Sequence, residues 1–150
     1  MKTRRKTEAH RWFQQGYYDL KATRWNIRGE FYDTACFLAQ QAAEKTLKSL
    51  LYYQGSRRTA LLTHSLVEMI QEAGRKASKL KSLLDQAREL DLHYIPSRYP
   101  NGIPSGYPHQ FYTKKVAEQA LTAAEKIFSA IENYYQAAGE SDIFQIADSS

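Results

Sequence analysis

Arginine and histidine offer the first chemistry to consider. Metal-independent RNA cleavage needs a base near the 2′-hydroxyl and a cation near the scissile phosphate. His64 follows Arg58 with five residues between them, and His10 follows Arg5 with four between. Either pair can meet around a helix start. With 21 Lys and Arg residues and 4 His, such spacings also arise by chance, and His64 beside Ser65 is equally a helix-start residue held by backbone groups. A second cluster lies further on: Tyr94, Arg98, Tyr99, Tyr107, His109, Phe111 and Tyr112 surround the four prolines of the chain. Arginine offers a planar fork to phosphate, and tyrosine or phenylalanine offers a stacking face to a base. The alternative is that these rings anchor an irregular segment to the body while Arg98 pairs with an acid.

Other chemistries lack their residues. Di-iron helical bundles need paired Glu-x-x-His motifs, and none occurs. Glu89 and His93 stand four apart, but one such pair supplies too few ligands. There is no His-Glu-x-x-His, no Cys-x-x-Cys, no phosphate-binding glycine loop and no dinucleotide fingerprint, so no metal and no cofactor is expected. The single cysteine, Cys36, reads as a small core residue on a helix.

The elements that position these residues are helical nearly throughout. The 150 residues are enough for one domain, with 43% hydrophobic and 25% charged residues, which excludes disorder as the overall state. No apolar run approaches the roughly 20 residues of a membrane span. No apolar stretch follows the charged start, so a secretory signal is not expected and the cytoplasm is the expected compartment. One thiol cannot form an intrachain disulfide, so cohesion must come from packing. Residues 1–28 carry eight basic side chains against Glu8 and Asp19, a charge of +6 within a chain of +5. Such an end suits phosphate or an acidic partner, or else is a solvated, partly frayed terminus.

Apolar positions at Ala9, Trp12/Phe13, Tyr17, Leu20 and Ile27 predict a first helix over Glu8 to Arg28, closed by Gly29 in a positive-φ cap. A second helix is expected from Phe31 to Gln54, its alanines admitting a close neighbour and Lys45 and Lys48 lying off the core. Gly55 to Thr59 reads as a loop. Thr63 or Ser65 caps a short helix ending at Gly74, with Leu66 and Ile70 inward, and Ser78 caps a fourth running toward Pro96. After the Pro96–Pro108 loop, a last helix begins near Gln110. The expectation is an all-α, up-down antiparallel bundle of about five helices occupying residues 1–136, with 137–150 a mostly loose tail.

Three segments in this order carry a resemblance: Gln40-Gln-Ala-Ala-Glu-Lys-Thr-Leu-Lys-Ser-Leu-Leu51, His64-Ser-Leu66, and Leu90-Asp-Leu-His-Tyr-Ile-Pro-Ser-Arg-Tyr-Pro100. Together with Tyr18-Asp-Leu-Lys-Ala22 they resemble the HEPN domain over about residues 8–135, and within it the Arg-Tyr-Pro prokaryotic branch that is similar to the end of sacsin. The resemblance implies a five-helix bundle, a homodimer, and binding of a nucleotide or RNA. It also implies a minimal nucleotidyltransferase as toxin–antitoxin partner. The matching positions are Gln41, Glu44, Lys45, Lys48, His64, Tyr94, Arg98, Tyr99 and Pro100. The ribonuclease branch carries Arg-x(4–6)-His near the start of its last helix. Here Arg98 and His109 are ten residues apart, and Arg58/His64 has the spacing in the wrong helix.

Overall fold

The computed structural model describes residues 2–145. Its helices are α1 (Lys2–Arg28), α2 (Tyr32–Gln54), α3 (Arg58–Leu62), α4 (Leu66–Ala73), α5 (Leu84–Asp91), α6 (Pro108–Phe111), α7 (Lys114–Ala137) and α8 (Ser141–Phe144). Short 3-10 turns cover Ser78–Leu83 and Pro100–Gly102. No strand occurs among the described residues. The described helices include none long and apolar enough to cross a membrane.

Helix α2 is the axis of the bundle. It packs on α1, α7 and α4, and its interior positions run almost all round it, from Ala35 and Cys36 through Leu47 to Leu50 and Leu51. The small side chains Ala39, Ala42 and Ala43 permit this, since a helix enclosed on several sides cannot carry bulk everywhere. Gly16 on α1 makes the closest approach. A Cβ there would stand 2.6 Å from Thr46 Oγ1 and 3.2 Å from the Ala42 carbonyl oxygen and the Thr46 nitrogen. Ser49 Oγ donates to the Ala9 carbonyl at 2.6 Å and meets the Tyr135 hydroxyl at 2.8 Å. These pairings run α1 antiparallel to α2. Contacts of Phe13 with Tyr135 and of Arg24 with Glu125 run α7 antiparallel to α1. Phe13, Phe128, Tyr135, Ile127, Ile131 and Met69 fill the core between the helices.

The boundaries differ from the periodicity in instructive ways. α1 begins at Lys2 rather than Glu8, so the basic end is helix, not a frayed terminus. Lys6 pairs with Glu140 at 2.8 Å and draws that end toward the chain's C-terminal side. The positive-φ residue closing α1 is Glu30 (φ 65°), not Gly29. Phe31 N–H donates to the Asn26 carbonyl and Glu30 N–H to that of Ile27, the paired bonds that require a left-handed residue at position 30. Gly55 does meet that requirement for α2 (φ 69°). Arg58 opens α3 instead of lying in a loop. Ser65 caps α4 by accepting from Glu68 N–H, as its type suits. Ser78 caps nothing: a 3-10 turn precedes α5 there. The last long helix starts at Lys114, because Thr113 Oγ1 accepts from Val116 N–H at 3.3 Å. Within the segment expected to be a loose tail, Ser141–Phe144 forms α8 and Ile143 is buried against the bundle. Residues 146–150 of that segment lie outside the described residues.

Substituting Gly16 tests the α1–α2 approach. Alanine favours helix by about 1 kcal/mol over glycine, yet the added methyl must push two backbones apart, a strain of about 1–3 kcal/mol. Gly16→Ala is expected to lower the urea midpoint and Gly16→Leu to prevent folding. A midpoint raised by Gly16→Ala would show that the helices are free to separate.

Candidate functional site

The residues that converge surround the stretch of α2 from Phe37 to Lys48. Glu44 is buried at 4% exposure and serves as the node. It accepts from Lys48 Nζ at 3.4 Å, from Gln40 Nε2 at 3.4 Å and from His64 Nδ1 at 3.2 Å. A buried carboxylate is tolerable only with such partners, because desolvation of an unpaired charge costs several kcal/mol. Lys48 is equally buried and its ammonium lies 5.4 Å from the Trp12 ring centroid. This corrects the expectation that Lys48 lies off the core: central α2 has no free side for it, and Glu44 and Trp12 provide for its charge.

His64 is placed by two constraints. Its Nδ1 faces Glu44, and its ring stacks on Tyr94 at 5.1 Å and 18°. Ser65 and Asp91 hold the backbone around it. Asp91 accepts from Leu66 N–H at 2.8 Å and Val67 N–H at 3.2 Å, placing a carboxylate at the start of α4. With Nδ1 on Glu44, Nε2 is the ring nitrogen left without a hydrogen-bond partner among the described residues, on an exposed side chain.

Arg98 completes the group. Its guanidinium carbon lies 4.3 Å from the Phe37 ring centroid and 5.3 Å from that of Tyr99, and Phe37 in turn meets Tyr94 at 6.2 Å. Arg98 is exposed and has no carboxylate partner among the described residues. The cation is therefore held by rings, not by an acid, so its fork of N–H donors stays available. The turn that carries it is tied back by Ser97, whose Oγ donates to the His93 carbonyl, and by Arg98 and Tyr99 N–H groups donating to the Ile95 carbonyl.

His64, Tyr94, Arg98 and Tyr99 thus come together, and Lys48 joins them through Glu44. Lys45 does not: it pairs with Asp19 of α1. Arg58, exposed at the start of α3, makes no hydrogen bond or ion pair with the Glu44–His64 group among the described residues. Arg5 and His10 take separate partners. Arg5 packs over Gly55 and His10 bonds the Asp142 carbonyl. Gln41 donates to Gln40 Oε1 at 2.7 Å, and Pro100 opens a 3-10 turn. Phe37 escaped the sequence reading, and Gln40 and Asp91 stood within the resembling segments without a site role. Phe37 had a signal, since it precedes Glu44 by two helical turns and so shares its face.

The remaining ring cluster is structural in part. His93 Nδ1 meets the Tyr112 hydroxyl at 3.2 Å. Burial holds the His93 imidazole below its ordinary range and pushes the Tyr112 phenol up to about 12. His109 turns to Asp33 at 2.9 Å, while Tyr107 and Phe111 remain exposed. Cys36 is fully enclosed, with burial pushing its thiol up to about 12, which fits an inert core residue.

Comparison with known proteins follows the same span. The family model described as the HEPN domain matches residues 9–134. A protein of Methanocaldococcus jannaschii named "Putative toxin MJ1304" is 28% identical over 123 residues, covering 77% of this chain and 80% of that protein. The crystal structure of TT1696 from Thermus thermophilus superimposes with a TM-score of 0.78 at 33% identity, covering 84% of this chain and 97% of that one. ST0689, described as an archaeal HEPN homologue, gives 0.71 at 31% identity over 85% and 97% of the two chains. A HEPN domain protein from Thermotoga maritima gives 0.67 at 28% identity over 85% and 98%.

Two measurements probe this geometry. Glu44→Ala leaves Lys48 buried without its partner and is expected to cost about 3–5 kcal/mol in urea unfolding, with Glu44→Gln costing less. A loss under about 1 kcal/mol would mean that Lys48 reaches water freely. His93 is held below its ordinary value of 6.5, so the unfolded chain takes up that proton first as pH falls. Its contribution is complete above the ordinary value and is lost as pH falls toward the folded one. The drop in urea midpoint from about pH 7.5 to about pH 5 should shrink in His93→Gln, and an unchanged drop would remove His93 as its source.

Proposed function

The chain belongs to the HEPN domain family, and from that premise we propose that it binds a nucleotide or the phosphate of a nucleic acid, as one half of a toxin–antitoxin type pair with a minimal nucleotidyltransferase. The observation that carries this reading is the exposed Arg98 guanidinium, held between Phe37 and Tyr99 beside the stacked Tyr94 and His64 rings. A phosphate takes the guanidinium fork, and a base takes an aromatic face. Buried Glu44, itself paired with Lys48, holds His64 Nδ1, so the rings are pre-placed before any ligand arrives. The toxin name of the archaeal relative supports the paired-gene role. Homodimerisation belongs to the same proposal, and exposed Leu92 and Ile95 beside Tyr99 are apolar surface suited to it.

One observation favours a second reading, a metal-independent ribonuclease. The His64–Glu44 pair leaves Nε2 facing outward as a base, with Arg98 in place of Arg58 as the phosphate anchor. Incubation of RNA with the pure protein in excess EDTA separates the two. Cleavage lost in His64→Ala would establish the enzyme, and its absence would leave binding alone.

Arg98→Ala is expected to weaken mononucleotide binding at least about tenfold in calorimetry, the loss of one charge-assisted contact, with helicity unchanged. Unchanged affinity would remove Arg98 from the site.

A further inference from the structure

The far end of the bundle holds a cavity of about 380 Å³, walled by Arg5, Lys6, Tyr53, Lys76, Tyr134 and Glu140. It lies where α1 begins and α2 and α7 end. Gln54 there stands seventeen positions along α2 from Phe37 at the Arg98 group, about 25 Å along the helix.

Its polar groups are not all satisfied. Glu140 is nine-tenths buried; its Oε1 pairs with Lys6, its Oε2 accepts no hydrogen bond of ordinary length among the described residues, and the Tyr53 hydroxyl faces the same carboxylate. Leaving a buried charged acceptor unpartnered is costly. The cations have the opposite surplus. Lys76 Nζ spends one donor on the Gln54 carbonyl at 3.1 Å, and the Arg5 guanidinium packs over Gly55 with no acid beside it among the described residues. Three cations against one carboxylate leave the cavity about +2, which matches the charge of −1.5 to −2 on a phosphate monoester at neutral pH. Tyr53 and Tyr134 meet edge to face at 6.3 Å and present ring surface to the same space.

We propose that this cavity binds a phosphate monoester carrying hydroxyl or amino donors, a sugar phosphate or a nucleoside monophosphate. The phosphate lies on Arg5 and Lys76, a ligand hydroxyl or amine donates to Glu140 Oε2, and the sugar or base lies against the tyrosines. Inorganic phosphate satisfies the cations but does not span to Glu140 and the rings, so it binds more weakly. The site is independent of the Arg98 reading.

The test is calorimetric titration with ribose 5-phosphate, adenosine monophosphate and inorganic phosphate. Arg98→Ala is the background for the nucleotide, so that the other site does not contribute. Saturable binding of a monoester is expected, at least about tenfold tighter than inorganic phosphate, a difference of about 1.4 kcal/mol. It should be unchanged by Arg98→Ala for ribose 5-phosphate and weakened at least about tenfold by Lys76→Gln, a change at an exposed side chain whose unaltered helicity is checked alongside. Glu140→Gln should narrow the preference for monoesters over inorganic phosphate. The tighter of the two monoesters names the source. No saturable binding, binding lost with Arg98→Ala, or indifference to Lys76→Gln would overturn the proposal.

Discussion

Everything in this molecule follows from the enclosure of α2. The Gly16 contact lets α1 lie directly on it, α7 covers another side and α4 a third. A helix so surrounded must bury whatever its sequence carries, and this one carries Glu44 and Lys48. Buried ion pairs seldom add net stability against an apolar alternative, because desolvation offsets the attraction. Their value here lies in placement. Glu44 extends its carboxylate to the edge of the interior, and His64 is oriented by it from outside.

Orientation then passes outward by ring contacts. His64 lies on Tyr94, Tyr94 meets Phe37, and Phe37 receives Arg98. Each step is weak alone, about 1 kcal/mol for an exposed cation–π or aromatic pair. Together they hold an unpaired guanidinium in a defined plane. Irregular backbone between α5 and α6 is suited to this task, since it is tied to the scaffold at Ser97 while its side chains remain accessible.

Periodicity made the helices legible, because buried positions recur every three or four residues whatever surrounds them. The ends were harder. Gly29 looked like the residue for a left-handed cap, but the bonding pattern places that conformation on Glu30, one residue later. Ser78 and Thr113 are both good caps by type, and only Thr113 acts as one. Segment order pointed to His64, Tyr94 and Arg98 as a group through their family resemblance. Spacing alone pointed to Arg58, which stands exposed as the first residue of the short helix α3. Phe37 and the burial of Lys48 depend on which helices surround α2, and that is set by contacts distant in sequence.

Chemical-shift mapping with adenosine monophosphate reads directly whether the Arg98 group is a ligand site. Saturable shifts gathered at the backbone and rings of Phe37, His64, Tyr94 and Arg98, vanishing in Arg98→Ala, are the predicted result. Saturation without any shift at those four residues would contradict it.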